Sequence, residues 1–513
     1  MDNNELGKMS GKSIVSQLIR SNRMPDILDC IANLSSDEVF TPPELVEKIL
    51  DLLPVEVWSN PDLKWLDPAT KTGIFLRQIA KRLMVGLRES FPDEEERRRH
   101  IFQNMLYGIA LTDLTALMSR RSVYTSKTAN NEKSIAHFDN ENGNISYDNR
   151  PHTYKNGVCI YCGNKQGGEL DRDETRERHA YNFIHLTPEE VKHMKFDVIV
   201  GNPPYQLNDG GNGASAAPIY HYFVRQAKKL NPRYMAFIIP SRWFAGGKGL
   251  DDFRNEMIHD KRIKKLVDYP DAKDCFPGVE IKGGVSYFIW DSGYSGKCEV
   301  QTIIKDEELP PVHRFLDEYD VFIRWNQAMP ILHKVTEKNE ETLDKKISSR
   351  KPFGLATNFD KIDDINNPDK YKVYAYKKIG YTYKTYITKG KEIISDYKVL
   401  LPKAAEGSGV FPNKILTEPF TINPGEVCTE TYIVINHYKT ESEAKNLESY
   451  IKTRFFRFLV ALRKVTQDAT SKVYGFVPDL SMKECWTDEK LYKRYEITSE
   501  EQEFIESLVK EMN

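Results

Sequence analysis

One short segment of this chain combines residue types suited to holding an aromatic amine. Gly201-Asn202-Pro203-Pro204-Tyr205 comes directly after the predicted strand Phe196–Val200. In an open α/β sheet, ligands bind just beyond the carboxyl ends of the strands, which is where this segment falls. An amine such as adenine N6 is a poor nucleophile because its lone pair is delocalised into the ring. The Asn202 side-chain oxygen and the Pro203 carbonyl could accept its two N–H bonds and favour a more tetrahedral nitrogen.

The remaining residues of the segment suit the same task. Pro203 and Pro204 fix φ and make the turn rigid, and Tyr205 could stack on a base rotated out of a duplex. A plain proline-rich turn is the alternative, since Asn-Pro is common in turns. The order strand, Gly201, then Asn-Pro-Pro-Tyr favours the functional interpretation.

A second segment, Trp65–Leu76, predicts a strand, a tight loop and the start of a helix. The helix is indicated by apolar residues on one face, namely Ile74, Phe75, Ile79, Leu83 and Leu87. A loop that opens onto a helix amino terminus suits a ligand with a carboxylate, and Asp67 at the strand end could receive an ammonium group. Many α/β loops contain Asp and Gly, so this segment alone is a weak indication.

A third segment, Phe40–Val46, predicts a well-capped helix. Thr41 with Glu44 would form a capping box, and Pro42 would occupy the first helical position. Capping alone accounts for this pattern. Its position ahead of Asp67 is what connects it with the second segment.

Two cysteines and two histidines in a polar stretch predict a structural zinc site. Cys159, Cys162, His179 and His185 could supply four tetrahedral ligands, with His152 as a competing ligand. Alternatively, His179 and His185 only pack or contact DNA phosphates. A catalytic metal is not expected.

The elements that must position these residues alternate between strands and helices from about residue 40 to 295. The strand candidates are Leu63–Leu66, Leu106–Leu111, Phe196–Val200, Tyr234–Ile239, Lys265–Tyr269 and Val285–Trp290. This alternation predicts a mostly parallel sheet covered by helices on both faces. A polar insertion interrupts it over 125–190, and after residue 300 the rhythm is lost.

Composition sets the broad class. A chain of 513 residues predicts two or three domains, and a net charge of −2 excludes a generally basic coat. The sequence has neither an apolar stretch long enough to span a membrane nor a signal-peptide pattern. Seven scattered cysteines favour a reduced, cytoplasmic protein.

The carboxyl-terminal part has its own composition. Residues 371–398 hold seven Lys and seven Tyr against only Glu392 and Asp396. Lysines can replace phosphate counterions and tyrosines can supply flat contacts, although half-buried strand tyrosines are an equal alternative. Further on, one amphipathic helix is predicted from Leu447, Ile451, Phe455, Phe458, Leu459 and Leu462.

The three segments, in this order, resemble the gamma-class DNA adenine-N6 methyltransferases of restriction–modification systems. In that family an F-x-T-P-like segment and a D-P-x-x-G-x-G-x-F-L loop hold S-adenosylmethionine, and an N-P-P-Y segment is catalytic. The matching positions here are Phe40-Thr41-Pro42, Asp67 to Leu76, Asn202 to Tyr205 and, more loosely, Ala216-Pro218-Ile219-Tyr220 and Phe276-Pro277-Gly278.

The resemblance implies a role for each matched residue. Asn202, Pro203, Pro204 and Tyr205 would be catalytic, and Tyr205 and Phe276 would stack on the base. The residues implied in cofactor binding are Phe40, Thr41, Pro42, Asp67, Pro68, Ala69, Gly73 and Asp113.

Two positions depart from the family pattern. Lys71 replaces the first glycine of the cofactor loop, where it could crowd the loop or point outward. Ala110 stands where the family usually has an acid for the ribose hydroxyls, and Asp113 is the candidate substitute.

The resemblance also implies an organisation and partners. We expect a helical lead-in over 1–39, a doubly wound, Rossmann-like methyltransferase domain over 40–300 and an α+β target-recognition domain over 301–513. The expected partners are double-stranded DNA and a separate restriction endonuclease. Two alternatives remain open, a protein glutamine N-methyltransferase and a catalytically silent DNA-binding subunit.

Overall fold

The computed structural model describes most of the chain. The described residues are 39–167, 180–206, 217–279, 281–404, 412–464 and 469–512. The predicted helical lead-in therefore lies outside the described residues, apart from residue 39. The chain divides into two compact units, residues 1–237 and 238–513.

A parallel sheet forms the centre of the first unit, with strand order β3-β2-β1-β6-β7. A separate small hairpin pairs β4 with β5. The strands are β1 (Trp65–Thr70), β2 (Leu106–Ala110), β3 (Ile145–Ser146), β4 (Tyr154–Lys155), β5 (Val158–Cys159), β6 (Val198–Gly201) and β7 (Tyr234–Pro240), whose last three residues belong to the second unit.

Helices precede or separate most strands of the first unit along the chain. They are α1 (Pro43–Leu50), α2 (Ile74–Gly86), α3 (Glu94–His100), α4 (Asp113–Tyr124), α5 (Pro188–His193) and α6 (Tyr220–Lys229). The predicted apolar face of α2 is confirmed, since Phe75, Ile79 and Leu83 are all buried.

The start of α1 differs from the prediction. Pro42 is the N-cap residue, Pro43 is the first helical residue, and no side chain caps the helix. The expected capping box of Thr41 and Glu44 is wrong, because the Thr41 hydroxyl has another partner in the folded chain.

The strand order places a topological switch point beside β1. The chain passes from β1 outward to β2 and β3, and then returns to β6 on the other side of β1. Ligands of doubly wound sheets bind in the crevice outside the carboxyl ends of the strands at such a point. The predicted doubly wound α/β fold is confirmed, and it directs attention to the residues that follow β1 and β6.

The second unit begins with strands in the order β11-β10-β8-β9, with β8 antiparallel to β9 and parallel to β10. Two three-stranded sheets follow, in the orders β14-β13-β17 and β16-β15-β18. The strands are β8 (Ile263–Tyr269), β9 (Val285–Asp291), β10 (Cys298–Ile304), β11 (Glu307–Glu308), β12 (Val312–Arg314), β13 (Lys370–Ala375), β14 (Lys378–Tyr383), β15 (Tyr397–Pro402), β16 (Phe420–Ile422), β17 (Glu426–Cys428) and β18 (Tyr432–Tyr438).

Helices complete the second unit as an α+β arrangement. They are α7 (Asp251–His259), α8 (Ala328–Thr336), α9 (Glu441–Lys452), α10 (Arg454–Arg463), α11 (Asp488–Arg494) and α12 (Ser499–Leu508). The single helix predicted around Leu447–Leu462 is wrong. Thr453 has extended backbone and caps α10 by accepting a hydrogen bond from the Phe456 amide at 3.1 Å, so two helices form.

All six predicted strands of the alternating region are present, with ends shifted by a few residues. The predicted domain boundary at residue 300 falls inside β10. As a division by function, it stays a prediction. No helix of the described residues has the length and apolar character needed to cross a membrane.

Candidate active site

Neighbouring strands bring two of the three sequence segments together. Trp65 pairs with Val198 and Leu66 with Ile199 in parallel register, so β1 and β6 reach the same edge of the sheet. The approach there is close, because a Cβ atom added to Gly201 would lie 2.9 Å from Asp67 Oδ1. A Cβ atom at this position would therefore require the Asp67 carboxylate to shift.

A pocket lies at this edge. All three segments contribute to its lining, which consists of Phe40, Thr41, Asp67, Ala69, Lys71, Thr72, Gly73, Ile74, Phe75 and Asn202. The structure thus brings together residues that are far apart in sequence, as the motif analysis predicts.

Asn202 is held by its amide nitrogen. Nδ2 donates to the Val39 carbonyl at 3.1 Å and to Thr41 Oγ1 at 3.0 Å, and the side chain is 3% exposed. A carbonyl can only accept a hydrogen bond, so the nitrogen end of the amide must face Val39. The oxygen end, Oδ1, is buried and has no hydrogen-bond partner among the described residues.

An unsatisfied buried acceptor is costly, on the order of 1–3 kcal/mol. Such groups are rare in native proteins and invite an explanation. A ligand that donates an N–H bond to Asn202 Oδ1 would supply one.

Asp67 carries the buried carboxylate of the pocket. It is 3% exposed, and the Ala69 amide donates to its Oδ1 at 3.1 Å. Burial raises the pKa of this carboxyl to about 7, although the Ala69 amide and the Lys71 cation oppose the rise. A cationic group placed beside Asp67 would favour its ionised form.

Lys71 is buried in the same pocket, so the expectation that it could point outward is wrong. Its Nζ donates to the Val39 carbonyl at 2.9 Å, the same oxygen that Asn202 Nδ2 contacts. The Ser119 hydroxyl donates to the Lys71 carbonyl at 3.1 Å. Lys71 therefore helps to fix the backbone group that orients Asn202.

Gly73 turns the chain into α2 with φ of 75°, in the left-handed region. A Cβ atom there would lie 2.9 Å from Val123 Cγ2, so the position requires glycine for space as well as conformation. The turn lets the amino terminus of α2 begin at the pocket wall, where backbone N–H groups favour an anion.

A Mycoplasma pneumoniae protein named as an uncharacterized adenine-specific methylase is 42% identical over 327 residues, which are 58% of this chain and 77% of that protein. The chain belongs to the adenine-specific methylases. In addition, residues 104–276 match the family described as Eco57I restriction-modification methylase.

Two solved structures are similar to the methylase at low sequence identity. One is the type IIL restriction-modification enzyme MmeI in complex with DNA, with TM-score 0.48 and 11% identity, covering 85% of this chain and 67% of that one. The other is a nuclease-deletion mutant of the type ISP enzyme LlaGI with a DNA substrate mimic, with TM-score 0.48 and 13% identity. The match covers 84% of this chain but only 45% of the LlaGI chain.

Several predicted residues of the methylase lie outside the pocket lining. Ala110 is buried at the end of β2, and Asp113 is exposed as the first residue of α4. Neither lines the pocket, nor do Pro42 and Pro68. Their roles in cofactor binding stay predictions.

The two aromatic residues predicted to hold the base are both buried. Tyr205 is 7% exposed in the first unit, and its carbonyl accepts a hydrogen bond from the Ile219 amide at 3.2 Å. Phe276 is 1% exposed in the second unit. Base stacking by either ring stays a prediction, as do the contributions of Pro203 and Pro204.

The predicted metal ligands are partly assembled in the methylase. Cys159, Cys162 and His185 form one cluster together with His152, which the sequence analysis names as the competing ligand. His179 lies outside the described residues.

Sequence reasoning missed one contributor to the site. The Val39 carbonyl is a backbone group, and no residue type marks it. Only its position just before Phe40-Thr41 could have indicated a link to the pocket.

Proposed function

We propose that this methylase transfers a methyl group from S-adenosylmethionine to N6 of an adenine extruded from double-stranded DNA within a specific sequence. The observation that carries the proposal is the buried, unpaired Oδ1 of Asn202, in a residue whose nitrogen is fixed by Val39 and Thr41. This oxygen would accept one N–H bond of the adenine amine. The amine lone pair would then be drawn out of the ring and directed at the methyl group.

The pocket residues fit S-adenosylmethionine. The buried Asp67 carboxylate suits the ammonium of its methionine part, and the amino terminus of α2 suits the carboxylate. When bound, the cofactor supplies an electrophilic methyl group on a sulfonium. The chain itself holds the cofactor through Asp67 and the α2 terminus, and holds the amine through Asn202.

No strong general base is required in this scheme. Asn202 is neutral and can only orient the amine, which loses its proton after the methyl group is attached. Tyr205 would contribute a stacking surface that holds the extruded base in place.

A surface of the second unit supports DNA as the partner. Around the β13–β14 hairpin, three tyrosines and five lysines are exposed: Tyr376, Tyr383, Tyr386, Lys377, Lys378, Lys384, Lys389 and Lys391. We call these residues the lysine–tyrosine face. Exposed lysines can displace phosphate counterions, and exposed tyrosines can contact sugars and bases.

Other members of the same stretch are excluded from such contacts. Lys398 is fully buried, and its Nζ donates to the carbonyls of Ile394 at 3.0 Å, Asp396 at 2.6 Å and Asn423 at 3.1 Å. It holds a turn together and cannot touch a phosphate. The face is therefore smaller than the composition of residues 371–398 indicates.

We assign recognition of the target sequence to residues 301–513, because base readers must project from a surface separate from the methyl-transfer pocket. Exchanging this part for that of a relative with another target sequence should transfer the new specificity. A hybrid that still methylates the original site would place specificity in the amino-terminal part.

The proposed setting is a restriction–modification system in a reducing cytoplasm. None of the six described cysteines forms a disulfide bond with another described residue. A separate restriction endonuclease is part of the proposal and has its own test, pull-down of a nuclease with the tagged methylase.

One experiment separates this function from the two alternatives. The purified chain is incubated with S-adenosylmethionine labelled in the methyl group and with DNA of mixed sequence, and the label is then followed. We expect it in DNA, as N6-methyladenine after nucleoside digestion. Label in glutamine residues of added protein would support the protein methyltransferase, and no label with retained DNA binding would support the silent subunit.

A further inference from the structure

Four metal-binding side chains meet in the insertion between α4 and β6. One ligand atom from each of His152, Cys159, Cys162 and His185 lies within 4.8 Å of all the others. Both cysteines and His185 are buried, and His152 is half-buried. Together they form the sulfur and nitrogen cluster, a set of two thiols and two imidazoles.

The spacing inside the cluster fits a tetrahedral ion. Cys159 Sγ lies 3.6 Å from His185 Nε2, and Cys162 Sγ lies 3.4 Å from His152 Nδ1. Zinc with bond lengths of about 2.3 Å to sulfur and about 2.0–2.1 Å to nitrogen places such atoms roughly 3.5–3.6 Å apart at the tetrahedral angle. These two sulfur–nitrogen separations are close to that value.

An outer contact sets the orientation of one imidazole. His185 Nδ1 donates to the Tyr181 carbonyl at 2.8 Å, which leaves the lone pair of Nε2 facing Cys159. A hydrogen bond from the second ring nitrogen to a carbonyl is the usual support of a metal-bound histidine.

The turn between the two cysteines also suits metal binding. Gly163 follows Cys162 with φ of 72°, and its amide donates to the Cys159 carbonyl at 2.9 Å. The turn is thus closed by its own backbone, which holds both sulfur atoms on one side.

The surrounding segment has little else to stabilise it. The hairpin consists of β4 and β5, two residues each, and most residues between 151 and 167 are exposed. A two-stranded hairpin of this size is marginal in water. A bound metal would supply the missing free energy of folding, as it does in other small domains without a core.

We infer that His152, Cys159, Cys162 and His185 bind one structural zinc ion. This inference goes beyond methyl transfer and does not depend on it. It also replaces His179 by His152 in the ligand set expected from sequence. Thiolate and imidazole ligands in tetrahedral geometry select zinc over magnesium or calcium.

The zinc site joins the hairpin to the region that follows the catalytic segment. Phe183, two residues before His185, stacks on Phe223 of α6 at 5.9 Å between ring centroids, and Tyr181 packs on the same ring. Helix α6 begins directly after Ile219, whose amide bonds to Tyr205. The ion would therefore stabilise the support of the catalytic segment from outside the reaction.

Metal content is the direct test. The full chain, expressed in zinc-supplemented medium and never exposed to chelator, should contain about one zinc per chain by elemental analysis. Cobalt substitution should give visible bands of a tetrahedral ion with thiolate ligands. Protein without metal, in which a thiol reagent titrates Cys159 and Cys162 freely, would overturn the inference.

Single substitutions test the ligand set. Cys162→Ser and His152→Ala should each lower the zinc content toward zero, and His179→Ala should leave it unchanged. Cys485→Ser is the matched control, since Cys485 is an exposed thiol outside the cluster. If His179→Ala loses zinc and His152→Ala keeps it, the proposed ligand set is wrong.

If a ligand variant fails to fold, chelation of the wild-type chain replaces it, and protease sensitivity should then increase within residues 150–190. Unchanged cleavage after complete zinc removal would contradict the structural role.

Discussion

The pocket at β1 and β6 and the lysine–tyrosine face use polar residues in opposite ways. In the pocket, Asn202, Lys71 and Asp67 are buried and held by hydrogen bonds to neighbouring groups. On the face, Tyr376 is 60% exposed and Lys377 lies at the tip of a hairpin. Substituting one of a set of buried groups that bond to one another also affects its neighbours, whereas exposed groups act almost independently. The two regions should therefore respond differently to substitution.

The largest effect on cofactor binding is expected at Asp67, with opposite signs for binding and stability. Asp67→Asn removes the negative charge for the cofactor ammonium, so affinity for S-adenosylmethionine should fall about 10- to 150-fold, which corresponds to 1.5–3 kcal/mol. Calorimetric titration of both proteins measures this loss. An unchanged affinity would remove Asp67 from the cofactor site.

The same substitution should stabilise the cofactor-free protein. The pKa of Asp67 is raised to about 7 by burial, so its ionised form opposes folding. This destabilisation is absent below the unfolded pKa of 3.8 and fully present above about pH 7. The free energy of unfolding of Asp67→Asn should then exceed that of the wild type by on the order of 4 kcal/mol at pH 8, and by little at pH 4. Denaturant unfolding at the two pH values provides the comparison, and an equal gain at both would contradict the burial argument.

A second pH effect concerns binding to the wild type. Below about pH 7 the Asp67 carboxyl becomes protonated, so the dissociation constant for the cofactor should rise up to tenfold for each further pH unit. Asp67→Asn should remove this dependence. A pH profile that is identical in both proteins would assign the titration to another group.

A smaller effect is expected at Lys71. Lys71→Met keeps the length of the side chain but loses the bond to the Val39 carbonyl and the cation that lowers the pKa of Asp67. The pH midpoint for cofactor binding should move upward. Methyl transfer should slow about tenfold, because Asn202 is held less firmly once the Val39 carbonyl loses its bond to Lys71. Lys71→Arg retains the charge and should restore the midpoint. A midpoint that stays in place in Lys71→Met would show that Lys71 does not act on Asp67.

The smallest single effects are expected on the lysine–tyrosine face. Lys377→Ala, Lys389→Ala or Lys391→Ala should each weaken binding to all DNA sequences alike and reduce the slope of log affinity against log salt by about one. The exposed Lys338, outside the face, is the matched control. A loss confined to one base position would instead identify a base reader.

Sequence reasoning predicts the pocket because its residues are organised by local rules. Gly201 and Asp67 each follow a predicted strand, and ligands of an open sheet bind just beyond the carboxyl ends of its strands. In parallel strands these ends lie side by side, so the two residues are expected to be neighbours. The same reasoning fails for Thr41. A threonine before a proline-led helix fits a capping box, and only the folded chain shows that its hydroxyl serves Asn202.

Burial of charged groups is a second feature that the sequence does not predict. Lys71 and Lys398 are both buried, and their bonds run to carbonyls brought close by distant parts of the chain or by a turn. No pattern of residue types marks these carbonyls. The break of one predicted helix at Thr453 has a similar cause, because the apolar spacing continues across it.

Substitution of Asn202 tests the central claim most directly. Single-turnover methyl transfer to DNA and the dissociation constant for the cofactor are measured on the same sample of Asn202→Ala. Thr41→Val, which removes only one bond to Nδ2, serves as the milder comparison. We expect the Asn202→Ala rate to fall by a factor of about 10² to 10³ or more, as when one preorganised polar contact to the reacting group is lost. Cofactor affinity should stay within a few fold. Normal turnover in Asn202→Ala would contradict the assignment of its buried oxygen to the adenine amine.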